Sequence, residues 1–172
     1  MKLFFSPTSP YVRKCMVTAH ELGLVGRIEL LAANAHPVQR DATIIASNPL
    51  GKVPTLIADD GRVLYDSRVI CEYFDELGGG RLFPRSGAPR WAALTLQSLA
   101  DGMLDAALLA RYETALRPEA LRWGDWVTGQ LDKVATPWPR WRPKPPRWKA
   151  VSTSARSAWA ARWATSTCAS PT

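Results

Sequence analysis

A chain of 172 residues, 47% of them apolar, has the length for one large domain or two small ones and enough apolar side chains for a buried core. The net charge of +7 points toward a polyanion partner only until it is located: it lies entirely beyond residue 133, and residues 1–133 balance 15 basic against 15 acidic groups. Cys15, Cys71 and Cys168 have neither metal-ligand spacing nor an even-numbered framework, and no stretch approaches the roughly 20 apolar residues of a membrane span, so a cytoplasmic chain with no metal and no membrane partner is expected.

The opening run Lys2 to Phe5 is apolar and ends in Ser6, Pro7 and Thr8, as a buried strand delivered into a loop does. From Ser9 a helix is predicted: Pro10 suits its first position, and Val12, Cys15, Met16, Ala19 and Leu22 recur at helical spacing before Gly23. Ile28 to Leu31 reads as a second strand, and residues 38–46 as a short helix. Asn48-Pro49-Leu50-Gly51 carries turn chemistry, and Pro54 to Ile57 resumes an apolar run. Asp59-Asp60-Gly61 signals a hairpin that returns as Val63 to Tyr65. Asp66-Ser67 then caps a helix whose apolar face is Val69, Ile70, Tyr73, Phe74 and Leu77, ended by three glycines. The order βαβ, helix, ββα predicts an α/β thioredoxin-like domain with a mixed four-stranded sheet over residues 1–77. Residues 78–88 read as a linker, and residues 89–133 as the first two helices of an all-α domain, one opening at Pro89 and one at Pro118.

Ser9-Pro10-Tyr11-Val12 occupies the strand-to-helix turn where glutaredoxins carry Cys-Pro-Tyr-Cys, and with both cysteine positions replaced the dithiol chemistry is lost. What stays is a hydroxyl at a helix N-terminus, where free amides and the helix dipole favour a sulfur anion. Ser9 can donate its proton to such an anion without a base of its own. A cis bond before Pro54 would expose the Val53 backbone to a peptide ligand. At the next helix start Ser67 suits a carboxylate and Asp66 an ammonium.

Ser-Pro-Tyr-Val-Arg-Lys, Asn-Pro-Leu-Gly-Lys-Val-Pro and Asp-Ser together resemble the motifs of bacterial serine-type glutathione transferases. That resemblance implies a glutathione site in residues 1–77, a small hydrophobic electrophile bound mostly by the helical domain, a detoxifying function and a homodimer. It implies that Ser9 stabilises the thiolate, Val53 beside Pro54 pairs with the cysteinyl backbone, Asp66 and Ser67 hold the γ-glutamyl end, and Lys52 reaches the glycyl carboxylate.

Residues 134–172 break the pattern. They hold no acid, five of the eight Trp and six of the fourteen Pro, and a Pro-rich run cannot continue a helix. In an alternate reading frame, with G or C at third codon positions, Trp138 to Ala150 becomes a Leu-, Ala- and Glu-rich amphipathic segment. With a few freer third-base choices, Trp163 to Ser170 becomes similar to a core helix of the transferase helical domain. The tail therefore reads as a frameshift product and the all-α domain as incomplete. Two other functions stand beside the enzyme: a non-catalytic glutathione-binding or interaction module, and a nucleic-acid or membrane binder working through the basic Trp-rich tail. Nucleic acid is not the expected partner.

Overall fold

The computed structural model describes residues 1–137. The readings made for the tail beyond them, its alternate-frame segments and Cys168, lie outside the described residues.

Strand β1 (Lys2–Phe5) pairs in parallel with β2 (Glu29–Ala32) and antiparallel with β3 (Thr55–Ile57), and β4 (Val63–Leu64) adds antiparallel to β3, giving the order β2-β1-β3-β4. A parallel pair needs a crossover, which helix α1 (Pro10–Glu21) supplies. The β3/β4 hairpin needs only a tight turn, where Gly61 takes a φ of +84° that a side chain would resist.

Leu3 and Leu56 stand opposite each other across β1 and β3. Cys15, Ala19 and Leu22 of α1, with Ile70, Cys71 and Phe74 of α3 (Ser67–Leu77), close over them. Leu3, Leu56, Ile70 and Phe74 are each fully withdrawn from water, which is worth roughly 1.5–3 kcal/mol per side chain in transfer free energy. This core fixes α1 and α3 side by side. The four-stranded mixed sheet and its helices are those expected from the sequence.

Several boundaries differ from expectation, each for a local reason. Helix α2 (Ala42–Ile45) is shorter than residues 38–46, because His36 Nδ1 accepts the amides of Val38 at 3.2 Å and Gln39 at 3.0 Å in a turn of its own. Asp41 then caps α2 by accepting from the Thr43 amide at 2.8 Å. The long helix α4 (Gly87–Ala115) begins two residues before Pro89 and shortens the expected linker. Proline fits because the amides of a first turn have no helical partner. Pro118 starts only a single 3₁₀ turn, Glu119–Leu121, and α5 (Gly124–Ala135) begins after it. The nearly buried Glu113 carboxylate sets that corner, accepting from Arg117 Nε at 2.8 Å and from the Trp123 amide at 2.9 Å.

Residues Met1–Ala135 form one compact unit. Within it Asp75, 4% exposed, accepts the amides of Leu82 at 2.7 Å and Phe83 at 2.9 Å just beyond the end of α3. Among the described residues no helix is long and apolar enough to cross a membrane, and no three His, Cys, Asp or Glu side chains converge as metal ligands.

Candidate functional site

Strand directions decide which loops meet. Phe4 lies opposite Thr55, and Leu56 opposite Leu64. The end of β1, the start of β3 and the end of β4 therefore share one edge of the sheet. The loop to Ser9, the Lys52-Val53-Pro54 segment and the Asp66-Ser67 step all emerge there. So do the N-termini of α1 and α3, each carrying a partial positive charge of about half an electron. The fold thus offers an anion the positive ends of two neighbouring helices.

At the first of these, Ser9 is half-buried and its Oγ accepts from the Val12 amide at 3.3 Å. An oxygen used as acceptor keeps its own proton available to a further acceptor. At the second, Asp66 is exposed and its Oδ1 accepts from the Arg68 amide at 2.9 Å, capping α3. Ser67 is 2% exposed, yet among the described residues its hydroxyl makes no hydrogen bond. No side-chain oxygen fully sealed from water lacks a partner among those residues, so the Ser67 hydroxyl keeps a path to the surface.

The Val53–Pro54 peptide is cis. Val53 is half-buried and Pro54 buried, and among the described residues neither the amide nor the carbonyl of Val53 is hydrogen-bonded. Lys52 contributes its carbonyl to the loop, accepting from Thr55 Oγ1 at 2.8 Å. Its exposed side chain has no hydrogen-bond partner among the described residues. Beside it, the Arg40 guanidinium donates to the Pro49 carbonyl and packs where a side chain on Gly51 would stand. Gly51 has a φ of +62°.

The structure adds supporting residues that sequence reasoning missed. Asn48, 1% exposed, braces the Val53 loop: Nδ2 donates to Thr55 Oγ1 at 2.9 Å and to the Lys52 carbonyl at 3.3 Å, while Oδ1 accepts from the Leu50 amide at 3.0 Å. Asp101 of α4 is likewise buried, and it receives Lys14 of α1 at 2.7 and 3.0 Å and Arg68 of α3 at 2.9 Å. One carboxylate thus ties both site helices to the helical half. Nearby, the Tyr11 phenol donates to Asp105. Burial first, and that hydrogen bond second, push its pKa well above the ordinary value of 10.0. The available signal for Asp101 was an acid three and seven residues before Leu104 and Leu108, on a stripe that otherwise reads as apolar.

Comparisons with known proteins agree with this architecture. The glutathione S-transferase N-terminal domain family matches residues 8–77. A glutathione transferase family member from Pseudomonas fluorescens Pf-5, solved with bound glutathione, is 51% identical, with a TM-score of 0.76 over 78% of this chain and 66% of that one. A glutathione S-transferase from Methylobacillus flagellatus, also with glutathione bound, is 38% identical, with a TM-score of 0.71 over 81% of this chain and 67% of that one. The uncharacterised GST-like protein YibF of Escherichia coli is 35% identical over 135 residues, which is 78% of this chain and 64% of YibF. The chain therefore spans about two thirds of the length of these relatives. On the sheet order, the matched N-terminal domain and these relatives, the chain belongs to the glutathione transferase family.

Proposed function

We propose that the chain is a serine-type glutathione transferase in which Ser9 donates its hydroxyl proton to the sulfur anion of glutathione. The observation that carries this reading is the Ser9 geometry: Oγ accepts from Val12 and so has its proton free at the N-terminus of α1. The bound glutathione in the Pseudomonas and Methylobacillus relatives supports the choice of ligand. Val53 offers its unused amide and carbonyl, held beside Pro54, to the cysteinyl backbone. Ser67 and the amide end of α3 take the γ-glutamyl carboxylate, Asp66 the ammonium, and Lys52 the glycyl carboxylate.

In the reaction the thiolate forms a carbon–sulfur bond to a small hydrophobic electrophile and a leaving group departs with the displaced electron pair. The N-terminal dipoles and the Ser9 proton lower the cost of holding the anion in a site partly withdrawn from water. A cytoplasmic, homodimeric, detoxifying enzyme is the corresponding setting. In this reading residues 1–77 bind glutathione, a short linker follows, and α4 and α5 begin the electrophile wall. Residues 134–172 are a frameshifted substitute for the rest of that wall. Their acid-free, Trp- and Pro-rich composition supports this. Sequencing the gene around the codon for Ala135 tests it, and absence of the alternate frame rejects it.

Conjugation of a generic aryl halide tests the Ser9 role. Loss of one donor to a developing anion costs on the order of 10²–10³ in rate, so Ser9→Ala falls by that factor. Equal rates remove Ser9 from the mechanism. A second reading is a glutathione-binding module without turnover, which shares the Val53, Asp66 and Ser67 sites and needs no electrophile wall. Retention on immobilised glutathione with no conjugation by the wild-type chain would select it.

A further inference from the structure

Directly behind the two site helices lies a pair of groups that the proposed reaction does not use. Cys15 of α1 and Cys71 of α3 are 0% and 2% exposed, and their sulfurs face each other at 3.9 Å. The Cys15 thiol also points to the Ser67 carbonyl at 3.8 Å, and the Thr18 hydroxyl lies 3.3 Å from the Cys71 sulfur. A disulfide bond is about 2.05 Å long, and the two sulfurs already meet in van der Waals contact across the α1/α3 packing. They sit 56 positions apart in the chain, and the bond would close a long loop.

We propose that Cys15 and Cys71 are a modification site, a buried dithiol that a low-molecular-weight disulfide oxidises to an internal bond stapling α1 to α3. The Cys71 thiol loses its proton and its sulfur attacks one sulfur of the small disulfide. That S–S bond breaks, and the departing thiolate takes up the proton. Cys15 in turn loses its proton and attacks the Cys71 sulfur of the mixed disulfide, releasing a second small thiol. Two protein thiols are oxidised by two electrons and one small disulfide is reduced to two thiols. Cys71 is the first to react because the Thr18 hydroxyl can donate to its sulfur. Cys15 is held as a thiol, its pKa raised by the hydrogen bond it shares with Cys71 and by burial. Access to both requires a transient parting of α1 and α3, which makes the modification slow and the reduced form the resting one. The staple joins the helix capped by Ser9 to the helix that opens with Ser67. It therefore acts on the frame of the candidate site without touching a ligand.

The test uses the full-length chain incubated with excess glutathione disulfide, quenched with acid, alkylated and digested with trypsin without reduction. The expected product is the chain less two hydrogens, with peptide 15–27 linked to peptide 69–81. Closing a loop of this length raises Tm by roughly 10 °C, reversed by dithiothreitol. Cys15→Ser and Cys71→Ser each abolish the shift, and the peptide map of the wild-type chain decides the matter even if either variant folds poorly. The proposal is overturned if Cys15 and Cys71 remain alkylatable, if either is linked to Cys168, if the chain carries only glutathione adducts, or if the linked form melts at the temperature of the reduced one.

Discussion

Replacing Asp101 with Asn removes one negative charge from the junction of α1, α3 and α4 while keeping the side chain's shape. In the native chain its carboxylate side chain is 2% exposed and faces Lys14 and Arg68, whose side chains are 20% and 49% exposed. Breaking a fully buried pair costs about 3–5 kcal/mol, because the surviving charge is stranded. Arg68 instead reaches water, and its share falls toward the ~0–1 kcal/mol of an exposed pair. Most of the cost therefore comes from the Lys14 contacts, and the net loss is about 2–3 kcal/mol. On a body of this size each kcal/mol moves Tm by about 3 °C, so Asp101→Asn should melt about 8 °C lower by circular dichroism. Lys14→Met in the same background should then cost much less than it does alone, since its counter-charge is already gone. A melting point within about 1 °C of wild type, or costs that simply add, would mean the buried carboxylate is not held by these cations.

Ser67→Ala should leave stability within about 0.5 kcal/mol, because the hydroxyl has no hydrogen bond to lose within the described chain. Calorimetric titration should meanwhile show glutathione affinity about tenfold weaker or more, the scale of a hydrogen bond to a charged group. Unchanged affinity would separate Ser67 from the ligand. Asn48→Ala deletes three hydrogen bonds from a side chain 1% exposed and should cost about 2–4 kcal/mol in urea unfolding; a loss near zero would show that the loop holds itself. Tyr11 supplies a pH signature. Its folded pKa stands above the ordinary value of 10.0, so the folded chain keeps a proton that the unfolded chain releases, and stability falls as pH rises past that value. Urea midpoints between pH 9 and pH 11.5 should fall less steeply in Tyr11→Phe than in wild type, and parallel slopes would contradict the assignment.

The parts of the fold legible in sequence were those written in short windows. Ser9 and Pro10 mark the start of α1 because capping and a missing amide are properties of adjacent residues, and Gly61 marks the hairpin because its φ excludes most side chains. The candidate site was legible as a set of loops, and the strand pairing brings those loops to one edge of the sheet. Its supports were not legible. Lys14 and Asp101 are 87 positions apart, and nothing local to either names the other. Asn48 reads as a turn residue, whereas its side chain spans to Thr55. The starts of α4 and α5 were misplaced because proline signals where a helix is permitted, while Glu113, distant from the α5 start, decides where that helix begins.

Asp75 sets where the protein can be cut. Both of its oxygens are occupied by amides of Leu82 and Phe83, so a recombinant fragment stopped at Leu77, the end of the last thioredoxin-like helix, would strip this carboxylate of both donors. Extending the fragment through Pro84 restores both donors, while Lys14 and Arg68 still lack the Asp101 carboxylate of α4.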